Sequence, residues 1–130
     1  MASSLTTTKA NSILTAELKT TTRYAALFTA DPTDSGSVAN EVSGGSYARQ
    51  AITCGNDAAS REISNTAEVA FPTATANWGT ITHLGICQGS TGSVADMDWH
   101  GSLTTSKVIE TSDQLKFAIG AITVKFAAAA

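Results

Sequence analysis

The sequence predicts a mainly β protein: an antiparallel β-sandwich of jelly-roll type, preceded by a short N-terminal helix or arm. Three observations lead there. From Arg23 onward, short apolar runs alternate with clusters of Gly, Asn, Asp and Ser at strand-like intervals. Within several runs the apolar residues recur at every second position, the period of a half-buried strand. Only the first part of the chain carries the longer period of a helix, so the natural division is 1–22 and 23–130.

In the first segment, Ala10, Ile13, Leu14, Glu17 and Leu18 follow helical spacing with one acidic break. The flanking runs Thr6-Thr7-Thr8 and Thr20-Thr21-Thr22 bound it, since threonine caps helices better than it continues them. So short a helix needs a surface to lie on. Tyr24 to Thr29 reads as the first strand, closed by the turn sequence Asp31-Pro32-Thr33-Asp34-Ser35-Gly36. A polar, Gly-rich loop from Ser35 to Gly45 follows. Tyr47 to Cys54, Ile63 to Phe71 and Trp78 to Cys87 are the next strands, ended by Gly55-Asn56-Asp57, Pro72 and the cluster Gln88 to Gly92.

Met97, Trp99 and Leu103 then alternate with Asp96, Asp98, His100 and Ser102. A strand around Lys107 to Thr111 leads to a turn at Ser112-Asp113. In the last run Leu115, Phe117 and Ile119 are odd-numbered, whereas Ile122, Val124 and Phe126 are even. That slip at Gly120-Ala121 predicts a bulge or bend. Seven or eight short strands with this spacing suggest a sandwich or barrel.

The 130 residues fit one domain of ordinary size, long enough to build a core without metal or disulfide staples. Charged residues are 15% of the chain, below the roughly 25% of typical soluble domains. Much neutral surface is inexpensive to desolvate in a contact, which points towards assembly. The eight Lys and Arg residues are scattered and the net charge is −3, so no basic stripe faces nucleic acid. No window has the length of a membrane span, and the N-terminus lacks the pattern of a signal peptide; synthesis in a cytoplasm is expected.

No motif for a nucleophile elbow, a P-loop, a dinucleotide site, a zincin or an EF-hand is present. His83 and Cys87, four residues apart on a strand, would stand ~13 Å apart, too far for a dyad. Asp96, Asp98 and His100 share a predicted strand face, but neighbours there are ~6.5–7 Å apart. The expectation is a solvated face with no metal, no cofactor and no catalysis. Trp99 belongs to the core alternation. Trp78, between Asn77 and Gly79, is the better contact residue, and Tyr47 and Arg49 are offered with it.

The segments Tyr24–Asp34, Glu41-Val42-Ser43-Gly44-Gly45-Ser46-Tyr47-Ala48-Arg49-Gln50, Phe71-Pro72-Thr73-Ala74-Thr75-Ala76-Asn77-Trp78-Gly79-Thr80, Thr82–Ile86 and His100–Lys107 resemble a family of small phage and prophage structural proteins. Its members are commonly labelled tail fibre proteins, some being capsid decoration or cement proteins. The resemblance runs from about Tyr24 to Phe126 and implies a virion structural role with no catalytic residues. It leads to a first reading as a capsid decoration or cement protein. That protein would act through subunit contacts with a major capsid or tail protein. Trimers are expected by analogy with other phage decoration proteins. The alternative reading is a tail fibre or receptor- or glycan-binding module. Cys54 and Cys87 depart from the family pattern, where apolar residues are usual. Two readings stay open for them: thiols filling small core sites, or a disulfide within or between subunits, formed after release into an oxidising medium.

Overall fold

The structure is a computed structural model and describes residues 3–91 and 96–126. Gly92 of the expected turn, Met1-Ala2 of the expected arm and the end of the expected β domain at 127–130 lie outside the described residues.

Thr6 caps the helix α1 (Thr7–Leu14), its hydroxyl accepting from Lys9 N at 3.2 Å. A wider π turn, Thr15–Lys19, continues it. The buried face is Ala10, Leu14 and Leu18, three of the five positions picked out by helical spacing. The strands are β1 (Arg23–Phe28), β2 (Gln50–Ile52), β3 (Glu62–Ser64), β4 (Val69–Ala70), β5 (Gly79–Cys87), β6 (Met97–Ile109), β7 (Lys116–Phe117) and β8 (Thr123–Lys125). The fold is thus mainly β, with antiparallel pairing and one short N-terminal helix. Among the described residues the strands form a four-stranded sheet, ordered β2-β1-β5-β6, and two short pairs, β3-β8 and β4-β7.

The chain divides into two compact units. One gathers Met1–Thr22, Ile52–Glu68 and Phe117–Ala130; the other holds Arg23–Ala51 and Val69–Lys116. The first boundary falls where helical spacing ends. Beyond it, 52–68 and 117–130 group with the N-terminal segment and not with the strands around them in sequence.

In the first unit, α1 packs on β3, and β3 pairs antiparallel with β8, Ile63 opposite Val124. The two-residue turn before β3 closes with Ala59 and Glu62 exchanging both backbone hydrogen bonds, at 3.1 and 3.0 Å. Its central residues Ser60 and Arg61 have φ of 52° and 67°, unfavourable for side chains with a Cβ. Arg61 is held there from several directions. Its N–H donates to Asn11 Oδ1 at 2.9 Å, and its guanidinium donates to the carbonyls of Leu5 and Phe126 and to Ser4 Oγ.

Asn65 is the second fixed point, only 1% exposed. Its Nδ2 donates to the carbonyls of Ala67 (2.8 Å) and Ala118 (3.0 Å), and its Oδ1 accepts from Ile122 N (2.9 Å). Its own N–H and C=O pair with Ile122 O and Gly120 N. The expected slip at Gly120-Ala121 is therefore a β-turn, Ala121 N donating to Ala118 O with Gly120 at φ 81°.

In the second unit β1 is central. Ala25 to Phe28 are fully buried, the continuous apolar run of a strand covered on both faces. It pairs with β5 from Tyr24 opposite Cys87 to Phe28 opposite His83. Gly85, in the middle of β5, has no room for a side chain. A Cβ there would lie 2.9 Å from Phe28 and 3.0 Å from Met97 Sδ, both of which lie over it. Ala26, Phe28 and Cys87 form the core at this point, with Met97 packed against it. The two strands expected over 97–103 and 107–111 are one, β6. Its register against β5 shifts between Ile81 and His83, where Leu103 to Ser106 face only Thr82.

Candidate functional site

The residues offered as contacts, Tyr47, Arg49 and Trp78, do meet, with Arg49 and Trp78 buried and Tyr47 half-buried. Trp78 is 6% exposed and its Nε1 donates to Gly45 O at 2.9 Å. Gly45 approaches the indole this closely because it has no Cβ and sits at φ 59°. The Tyr47 ring stands edge-on to Trp78 (centroids 5.5 Å, 86°) and stacks on Phe71 (6.2 Å, 9°). Its hydroxyl donates to Glu41 Oε2 at 2.8 Å and accepts from Leu27 N at 3.0 Å. Burial, with Glu41 beside it, pushes the phenol well above its ordinary range.

Arg49 completes the cluster. Nε and Nη2 donate to the two oxygens of Glu41, each at 2.8 Å, a planar fork on a carboxylate. Nη1 donates to Gly89 O and to Asp96 Oδ1, both at 3.0 Å. The Arg49 side chain is 1% exposed and that of Glu41 8%. The hydrogen bond to Glu41 holds the guanidinium charged against the cost of burial. Two segments distant in sequence, 41–50 and 71–80, thus interlock through three aromatic rings and the Trp78–Gly45 hydrogen bond, while Glu41 and Arg49 pair within the first. Ser46 Oγ bonded to Thr75 Oγ1 (2.9 Å) and Thr75 N donating to Gly45 O (3.0 Å) close the seam.

Of the residues offered as contacts, Arg49 and Trp78 are thus buried within the chain and Tyr47 is half-buried. They position the loop that precedes β2. Local sequence could not show it, since Asn77-Trp78-Gly79 with Gly79 at φ 91° looks like an exposed turn. The burial comes from Gly45 and Tyr47, some thirty residues earlier. Glu41 and Asp96, the missed members, carry no local signal beyond an acidic residue in a polar stretch.

The remaining candidates are dispersed. Asp96 turns to Arg49, Asp98 accepts from Arg23 Nε at 3.0 Å, and His100 Nε2 lies 2.8 Å from Asp34 Oδ1. The three side chains on the expected strand face therefore serve three different neighbours. Among the described residues no group of three His, Cys, Asp or Glu is placed to hold a metal ion. Cys54 and Cys87 are both free and buried, and they fall in different units. Burial raises both thiols, Cys87 to about 12, so neither presents a reactive thiolate. In this structure each fills a core site as a free thiol.

A family model described as podophage GP4 fiber I protein gp80 matches residues 4–125, from before the capping threonine of α1 to the last residue of β8. The chain belongs to this family. It is accordingly a phage fibre-family protein, a structural component of the virion that associates with other virion proteins. The match takes in both interlocked segments and the N-terminal helix alike. No curated protein matches the chain. Among the described residues no helix is long and apolar enough to cross a membrane.

Proposed function

We propose that this protein is a non-enzymatic building block of the tail fibre apparatus of a podophage particle, made in the host cytoplasm and incorporated during assembly. The observation that carries the reading is the extent of the family match, which takes in residues 4–125 and with them every strand of the fold. The buried chemistry supports it: Arg49, Glu41 and Asp96 are engaged with each other, as expected of groups that fix a shape. Capsid decoration, the first reading of the sequence, has no comparable support. Glycan capture through Trp78 loses its basis, since the indole is covered by Tyr47 and Gly45.

Labelling decides between the two locations. Purified particles carrying an affinity-tagged copy of the protein, decorated with gold and imaged by electron microscopy, should show label confined to the tail. Label spread over the capsid shell would refute the fibre reading.

A further inference from the structure

We draw no further inference here: the strongest candidate, the side-chain cluster in which His100 of β6 lies 2.8 Å from Asp34 Oδ1 and 3.5 Å from Asp31 Oδ1, consists of solvent-exposed ion pairs, and nothing in the structure shows a ligand or partner for it.

Discussion

Gly45→Ala should be among the most damaging single-methyl additions in the protein. Two separate penalties arise. At φ 59° an L side chain costs about 1–2 kcal/mol relative to glycine. The new methyl would also lie 2.8 Å from Trp78 Nε1, 3.0 Å from Cδ1 and 3.1 Å from Ala76 O. The indole cannot swing aside, because Tyr47 packs edge-on against it and only 6% of the residue is exposed. Displacing it breaks the Nε1–Gly45 hydrogen bond, leaving a buried donor unpaired at about 1–3 kcal/mol. The aromatic contact is worth about 0.5–1.5 kcal/mol more. The total is about 3–6 kcal/mol. Gly44 supplies the control: its φ is 74°, but a Cβ there meets nothing within 4 Å, so Gly44→Ala should cost about 1–2 kcal/mol. Urea unfolding followed by tryptophan fluorescence reads both variants, since Trp78 and Trp99 lie in the same unit. A difference between the two alanine variants below about 1 kcal/mol would show that the indole yields, and would refute the interlocked seam.

Arg49→Met should cost about 3–5 kcal/mol by leaving Glu41 buried without its counter-charge, and adding Glu41→Gln should recover part of that loss in the same assay; a double variant no more stable than the single one would mean the charge is not the cause. Asn65→Ala removes three buried side-chain hydrogen bonds and should cost about 2–4 kcal/mol, with accelerated amide exchange at 118–122; unchanged exchange there would count against the hub. Cys87 gives a pH signature. Its folded pKa, about 12, lies above the unfolded value near 9.0, so the native state keeps a proton that the unfolded chain releases. Its contribution is complete below pH 9 and falls as pH rises towards 12, so Cys87→Ala should flatten the alkaline limb of the stability curve. Equal slopes would exclude the thiol. In the native protein both cysteines should also resist alkylation at pH 8 and react once unfolded, as free-thiol titration would show.

Where a signal is local, the sequence carried it. The stripe Ala10, Leu14, Leu18 is the buried face of α1 and the π turn that continues it, and the run Ala25 to Phe28 is the doubly covered centre of the sheet. The phase change at Gly120-Ala121 is a real turn. The misses share one cause, a partner far away in the chain. Tyr47 to Cys54 has the alternation of a strand, yet only Gln50–Ile52 pairs, because Tyr47 and Arg49 are drawn to Glu41 and the aromatic cluster. Ile63 to Phe71 is interrupted because Asn65 leaves the β3 ladder to bind 118 and 122. Trp78 reads as a surface residue beside Asn and Gly until Gly45 closes over it. Period and composition report what each residue prefers, not which distant group will claim it.

The order in which the chain is made gives the first unit a particular history. Its three segments are the beginning, a middle stretch and the end, whereas Arg23–Ala51 and Val69–Lys116 lie between them. The helix α1 leaves the ribosome early, yet β8, the strand that pairs with β3, emerges last. At about 5–20 residues per second the N-terminal segment waits roughly 5–20 s for its partner. A chain cut short before Thr123 would carry α1 and β3 with the β3 ladder unfilled and the Arg61 clasp to Phe126 unmade. β3 therefore stays unpaired on its β8 side until residues 123–125 have been made, and a chain stopped before them cannot close this unit.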